Sequence, residues 1–474
     1  MLNGLRSSLG ALTMANSFSD KKVLILGAGV TGLAVARSLS KRGAQVSLAD
    51  DVVTEVEGFS VAITNSYNAV NFDALVISPG WKSDHQLITD AEKSGVQLWN
   101  EVDLAWKLRA ELVPGQRWIA LTGTNGKTTT VEMAAAMLRE GGVSAIACGN
   151  VGTTVIESVE SPEKYEVLVL ELSSFQLHWI REASFVAAAI LNIAQDHLDW
   201  HGGFNQYAEA KMAILDRAST GIFNGDDPEV VSRSTNWQGK KVFFSLDTPG
   251  PGEIGVVEEL LVDRAFVSDP QEAEMIAEVV DVTPTVPHNV ANALAAAGLA
   301  RAIGISHESI RLALQNFKLG RHRIEIVFSS NEVNWINDSK ATNPHAAAAS
   351  LMSTLSAIWI AGGLAKGAEM ADLIKRCKSR IKVAILIGVD RELIATELRQ
   401  SAPDVEIVFV DAPNSYVKGG IDNSLMEAVV GAAKARAIAG DTILLAPACA
   451  SMDQFLSYAD RGDRFTQAVL KENA

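Results

Sequence analysis

The stretch Leu121 to Thr130, LTGTNGKTTT, leaves the chain few choices of fold. The apolar run Trp118-Ile119-Ala120 before it reads as a buried strand, and VEMAAAMLRE after it as a helix. Between them stand a Gly-containing turn, one lysine and a row of hydroxyls. Backbone N–H groups at such a turn and helix start point at an anion, and the helix dipole favours negative charge there. The pattern predicts a cradle for the phosphates of ATP built from Gly123, Thr124, Asn125, Gly126, Lys127, Thr128 and Thr129. Lys127 is placed to reach the terminal phosphates, and the Thr128 hydroxyl to reach a Mg²⁺ ion bound to them. The spacing is shorter than the general G-x-x-x-x-G-K-[ST], because the residue five before Gly126 is Leu121.

A second nucleotide signal precedes it. Lys21 to Asp50 reads as strand, G-x-G-x-x-G turn (Gly27 to Gly32), amphipathic helix and second strand, with the acidic Asp50 18 positions beyond Gly32. Taken alone this would suggest NAD or FAD, and hence a nicotinamide oxidoreductase. The motif's physical content is looser: a diphosphate sits on the helix N-terminus, whatever nucleotide carries it. Ala74–Ile77 then runs into Ser78-Pro79-Gly80, a turn at a strand's carboxyl end, where open α/β sheets bind ligands. Helical patterns follow at Asp84–Ser94 and Glu101–Arg109.

Further on, Tyr165 to Ser174 reads as a buried strand delivering Glu171 at its carboxyl end, either as a Mg²⁺ ligand or as a surface carboxylate. The strand Phe185–Ile193 leads to His197, which could bind a metal or cap a helix, and as a lone histidine favours the cap. Lys211 lies on the inner face of a helix, and His288-Asn289 reads as the N-capped start of a closely packed one. Thr248–Gly255 is turn-rich and reads as a loop. Strands at Ala357–Ile360, Val383–Ile387, Ile407–Val410 and Thr442–Leu445 predict another mostly parallel sheet. Polar residues collect at strand ends there: Asp338, Ser339, Lys340 and Thr342, then Lys366, then Ser451.

The expected fold class is therefore α/β in three domains: a Rossmann-like domain over 21–112, a central P-loop ATPase-like domain with a mostly parallel sheet over 113–319, and a Rossmann-like domain over 320–474. Residues 1–20 read as a frayed tail rather than a signal peptide. With 41 basic and 56 acidic residues the net charge is −15, which excludes a sequence-independent nucleic-acid binder. Three scattered cysteines form no disulfide framework and point to the cytoplasm. No apolar run is long enough to span a membrane.

Together the motifs resemble the Mur ligase family of bacterial peptidoglycan synthesis. The resemblance runs over the whole chain and is carried by GAGVTG, SPG, GTNGKTTT, CGNVG, ELSSFQL, DHLDWHG with AEAK, PHNVANALAA, GRHRIE, NDSKATNP, AGGLAKGA and LLAPACASMDQF, in that order. The N-terminal βαβ unit with SPG and the Asn125 of the phosphate loop favour the branch that adds D-glutamate. The resemblance implies an ATP-dependent ligase acting on UDP-N-acetylmuramoyl-L-alanine and D-glutamate through an acyl phosphate and a tetrahedral intermediate. It implies two Mg²⁺ ions, held through Thr128, Glu171, His197 and a carbamylated Lys211. Thr31, Gly80 and Asn150 would contact the UDP-sugar. Asn289, Arg323 and Asp338 would serve the ATP nucleotide, and Lys340, Thr342, Lys366 and Ser451 would hold D-glutamate. The protein is expected to act as a monomer. Three alternatives stand beside this reading: a family member adding another amino acid, a non-catalytic nucleotide-sugar binding regulator, and the oxidoreductase. The Asp50-Asp51-Val52 segment carries no Arg or Thr where uracil contacts are expected, Tyr458 stands where a Phe is expected, and Trp81 has no role under the resemblance.

Overall fold

A computed structural model describes residues 18–56, 58–269 and 271–473. Of the tail expected over 1–20, residues 1–17 lie outside the described residues, while Phe18 is buried against the Trp99 ring, centroids 5.7 Å apart. The chain forms three sheets. It divides into two compact units: the first takes the chain up to Ile193 with Asn205–Val282 and Val290–Phe317, the second Ala194–Phe204, Thr283–Asn289 and the chain from Lys318.

The first sheet contains β1 (Lys22–Leu26), β2 (Gln45–Ala49), β3 (Glu55–Val56), β4 (Phe59–Ala62), β5 (Ala74–Ile77) and β6 (Gln97–Trp99), in the order β3-β4-β2-β1-β5-β6. β1 pairs in parallel with both β2 and β5, so the chain reverses direction across the sheet between β1 and β5. That reversal opens a crevice at the carboxyl ends of the two strands, where the Gly27–Gly32 turn and Ser78-Pro79-Gly80 stand side by side.

The second sheet contains β7 (Arg117–Thr122), β8 (Ala145–Gly149), β9 (Val167–Glu171), β10 (Phe185–Ile190), β11 (Ala218–Asn224), β12 (Lys240–Phe244), β13 (Glu253–Val257), β14 (Leu260–Asp263) and β15 (Glu274–Glu278). Its order is β15-β14-β13-β12-β11-β10-β7-β9-β8. Strands β7 to β13 are parallel, and the central β7, β9 and β10 are buried on both faces and nearly continuous in apolar residues, as a helix-covered parallel sheet requires. The last three strands form an antiparallel meander. Residues 253–255, expected in a loop, open β13; the loop is confined to the turn before them.

The first two sheets belong to one compact unit, and buried carboxylates join them. The helix Glu101–Leu112 follows β6 and offers its first turn to the central sheet. Asp103 accepts from the backbone N–H groups of Arg181, Glu182 and Ala183 at 2.7, 2.9 and 2.9 Å. Glu101 accepts from Ile156 N at 2.6 Å, at the start of the short helix Val155–Glu160. Burial pushes the Glu101 carboxyl up to about 7, against the pull of the Ile156 and Val155 amides; the nearby Glu157 charge adds to the rise. A carboxyl raised in the folded state contributes most below its unfolded pKa, and that contribution is lost as pH rises through the folded value. Glu101→Gln keeps an acceptor for Ile156 N without the charge. Its melting temperature should therefore match the parent near pH 4 and exceed it by a few degrees at pH 8; a constant difference across that range would contradict the assignment.

The third sheet lies in the second unit: β16 (Glu325–Ser330), β17 (Val333–Asn337), β18 (Ala357–Gly362), β19 (Ile381–Ile387), β20 (Glu406–Phe409) and β21 (Thr442–Leu445), in the order β16-β17-β21-β18-β19-β20. Apart from the β16–β17 hairpin it is parallel. β17, β21 and β18 are neighbours, so the turns carrying Asp338 to Thr342, Cys449 to Ser451, and Gly363 to Lys366 emerge together at one rim.

Candidate active site

β7 lies between β9 and β10, so the loop after it is flanked by the carboxyl ends of both. β9 ends on Glu171, and the chain leaves β10 through Leu191 and Asn192. These neighbours shape the phosphate loop. Thr124 N donates to Asn192 O at 3.0 Å and Asn125 N to the Asn192 side-chain oxygen at 2.8 Å, while Asn192 Nδ2 donates to Asn125 O at 3.1 Å. Thr124 Oγ1 meets Tyr207 OH at 2.9 Å. Gly126 caps the helix Lys127–Glu140 at φ +83°, and a Cβ there would fall 2.3 Å from Asn292 Oδ1. Only glycine fits that position, both for conformation and for space. Asn192, Tyr207 and Asn292 thus shape the loop from remote sequence positions. Sequence reading did not single them out, although Asn292 stands within the quoted PHNVANALAA, Tyr207 directly before AEAK and Asn192 in the strand leading to His197.

Lys127 Nζ donates to Gly123 O at 2.9 Å and Thr124 O at 2.8 Å, and Lys211 Nζ donates to Gly123 O at 2.7 Å. Lys211, on the helix Phe204–Met212, is buried, with its ammonium 4.7 Å from the centroid of the Tyr207 ring. Two lysines therefore converge on one loop carbonyl beside the buried hydroxyls of Thr128 and Thr129. Asn150 N donates to Glu171 O at 2.9 Å and its side-chain amide to Glu171 Oε1 at 2.8 Å. Asn150 is thereby tied to the carboxylate that closes the loop's other side.

The other Glu171 oxygen, Oε2, is buried and has no hydrogen-bond partner. An orphaned carboxylate oxygen is costly unless a cation completes it. Mg²⁺ takes one or two protein oxygens and fills its remaining positions with water and phosphate. Glu171 and Thr128 fit that demand. Among the described residues no three His, Cys, Asp or Glu side chains gather as a metal cage, and a phosphate-bound Mg²⁺ does not need one.

In the first sheet, Asp50 Oδ2 accepts from Ala28 N at 2.8 Å, and Oδ1 from Val52 N and Val53 N at 2.8 and 2.9 Å. Burial alone would raise this carboxyl, but the three amides outweigh it and hold the pKa below the ordinary value. One oxygen serves the backbone of the glycine turn and the other the turn that follows β2. The aspartate that would take a ribose hydroxyl in a dinucleotide site is thus engaged otherwise. Thr31 is half-buried in the first turn of the helix Val30–Ser40, and Gly80 is exposed at the end of β5.

In the second unit, His197, Thr342 and Lys366 line one cavity with Asp196, Asn343 and Leu364. His197 (φ +52°) and Lys366 (φ +51°) both adopt the left-handed conformation, which costs a non-glycine residue and is retained where surroundings dictate it. His197 Nε2 lies 3.6 Å from Asp196 Oδ2. Lys340 Nζ stands 3.8 Å from the centroid of the Tyr458 ring, a cation–π contact available to tyrosine or phenylalanine alike. Ser451 is buried in the neighbouring turn. Asp338 is buried, accepts from Ser350 Oγ and from Ile324 N at 3.3 Å, and is pushed up to about 6 by burial against the pull of those bonds and the Arg323 charge. Asn289 falls inside the first turn of the helix Pro287–Ile303 rather than capping it, and its amide donates to Pro284 O at 3.0 Å.

Sequence reading also passed over Arg461. It is fully buried, with Nε bonded to Ser339 Oγ at 3.0 Å, one terminal nitrogen to Ser339 O at 3.0 Å and the other to Cys449 O at 3.2 Å. One guanidinium thus pins together two of the turns that carry Lys340, Thr342 and Ser451.

Two family models match the chain: Mur ligase middle domain over residues 121–300, and Mur ligase, glutamate ligase domain over residues 322–449. The UDP-N-acetylmuramoylalanine--D-glutamate ligase of Thermobifida fusca is 46% identical over 466 residues, covering 95% of this chain and 98% of the relative. That of Streptomyces coelicolor is 43% identical, covering 96% and 99%. Among solved structures, a pseudomurein peptide ligase type C from Methanothermus fervidus superposes with TM-score 0.61 at 19% identity, covering 96% of this chain and 100% of that one. MurF ligase from Thermotoga maritima in complex with ADP gives 0.56 at 16%, covering 97% of each. At those identities the structures establish the fold.

Proposed function

The chain belongs to the Mur ligase family, and from that premise we propose that it joins D-glutamate to UDP-N-acetylmuramoyl-L-alanine with ATP, releasing ADP and phosphate in peptidoglycan precursor synthesis. The observation that carries the choice of amino acid is identity above 40% over nearly the full length of relatives named for that reaction. The oxidoreductase reading loses its support, because Asp50 is engaged by the glycine turn and an ATP loop is left without purpose. A non-catalytic binder has no use for an orphaned carboxylate oxygen beside two converging lysines.

In the first step an oxygen of the L-alanyl carboxylate forms a bond to the γ-phosphorus, and the bond from phosphorus to ADP breaks. In the second, the neutral amine of D-glutamate attacks the acyl carbon, the tetrahedral intermediate expels phosphate, and the amine proton is lost. Lys127, released from its loop carbonyls, neutralises charge gathering on the transferring group, and the loop amides hold its oxygens. Thr128 and Glu171 would hold one Mg²⁺ ion, and His197 and Lys211 are assigned to a second; such ions would supply further positive charge there.

A carbamylated Lys211 suits such a site, because it turns a cation into an oxygen ligand and keeps one N–H for Gly123 O. Thr31, Gly80 and Asn150 are assigned to the UDP-sugar. Asn289, Arg323 and Asp338 are assigned to the ATP nucleotide, with Asp338 serving the ribose. Lys340, Thr342, Lys366 and Ser451 are assigned to the D-glutamate carboxylates. All three cysteines are free and buried, as a reducing cytoplasm allows, and the chain is proposed to work as a monomer. No helix among the described residues is long and apolar enough to cross a membrane.

The test is phosphate release from ATP with UDP-N-acetylmuramoyl-L-alanine and a panel of amino acids. Release is expected with D-glutamate. Release with L-lysine or L-alanine instead would move the chain to another branch of the family.

A further inference from the structure

Trp81 is unused by the reaction described above, yet it occupies a definite place. The turn after β5 is closed by Trp81 N donating to Ser78 O at 3.2 Å. This folds the indole back over the glycine turn after the adjacent strand β1. Gly27 has φ +98°, and a Cβ on it would lie 2.8 Å from Ser78 Oγ and 3.0 Å from Trp81 Nε1. The N–H edge of the indole therefore rests on the turn where a diphosphate would meet the helix Val30–Ser40. The ring is half-buried, packed on the apolar cluster that includes Leu24, Leu26 and Ile77, and held edge-on by His85 with centroids 4.7 Å apart.

Trp81 Nε1 makes no hydrogen bond among the described residues and, on a half-buried ring, is not sealed from solvent, so it is free to donate to a ligand. The surroundings favour an anion as the missing partner. The helix start has no acidic residue in its first turn, and both oxygens of Asp50 are taken by main-chain amides. Gly29 is exposed beside the turn.

We infer that Trp81 is a substrate-binding residue: its indole N–H donates to the diphosphate of the UDP-sugar, and its ring forms one wall of that site. The inference rests on the reading that the first sheet holds the UDP-sugar. It adds a side-chain donor to a cradle otherwise made of backbone, and it favours ligands carrying phosphate over the bare nucleoside.

The experiment is calorimetric titration of the full chain with UDP, and separately with ADP, for the parent, Trp81→Phe and Trp81→His. Phe keeps a flat ring and loses the N–H, so its Kd for UDP should rise about tenfold, the scale of one hydrogen bond to a charged group. Its Kd for ADP should stay unchanged. His restores a ring N–H and should recover part of the loss. UDP affinity of Trp81→Phe within twofold of the parent would overturn the inference, as would equal losses for UDP and ADP, which would mark a structural role. A parent protein that binds ADP but not UDP would instead overturn the underlying assignment of the first sheet, and would show this before any variant is made.

Discussion

Lys127→Ala is expected to lower kcat by about 10²- to 10³-fold, the range for removing one preorganised charge or donor from a phosphoryl or acyl transfer site. The reason lies in where the ammonium starts. It bridges Gly123 O and Thr124 O, so it is held at the mouth of the loop by two neutral acceptors that a phosphate oxygen would replace. A charge–charge contact made mainly as the phosphoryl group transfers affects kcat more than ground-state binding. The KM for D-glutamate should change little, because Lys127 is not among the residues assigned to that substrate. Steady-state phosphate release measures both constants. A loss under tenfold would show that the lysine only braces the loop.

The second large effect is expected at Lys211. Its ammonium is buried, lies over the Tyr207 ring and bonds the same Gly123 carbonyl. If the working form is a carbamate, Lys211→Ala removes an oxygen ligand, and activity should fall at least a hundredfold. Added CO₂ should not restore it. Formate or acetate should restore part, by bringing a carboxylate into the vacated space, while leaving the parent enzyme unaffected. Retained activity in Lys211→Ala would contradict the carbamate. Loss of activity with no rescue, together with a fall in melting temperature, would assign Lys211 to bracing Gly123 instead.

What could be read from the residues alone divides along physical lines. The parallel strands around the nucleotide loops were legible because burial on both faces writes them as apolar runs; Ala74–Ile77 and Thr442–Leu445 emerged with the same bounds in the structure. The antiparallel meander was not legible. β15, Glu274–Glu278, carries a glutamate at each end and exposes three of its five residues, so it looks like a solvated charge run. β13 begins directly after a Pro-Gly-Pro-Gly turn that masks its start.

In the candidate site, residues that would touch ligand announce themselves through local motifs. Those that hold the motifs in place do not. Asn192 clasps Asn125 from 67 positions away, and Arg461 reaches Ser339 from 122 away. Such pairings depend on strand order, which no local pattern encodes. Asp50 shows the converse: its spacing suggested a dinucleotide site, whereas the amides of Ala28, Val52 and Val53 take both of its oxygens.

The central claim is that ATP activates the substrate carboxylate by phosphorylating it. Oxygen tracing tests this most directly. UDP-N-acetylmuramoyl-L-alanine labelled with ¹⁸O in its terminal carboxylate is turned over with ATP and D-glutamate, and the released phosphate is analysed by mass. Each phosphate should carry one oxygen from that carboxylate, because the bond formed to phosphorus is kept when the amine displaces the phosphate. Unlabelled phosphate, or label found in AMP, would contradict the account.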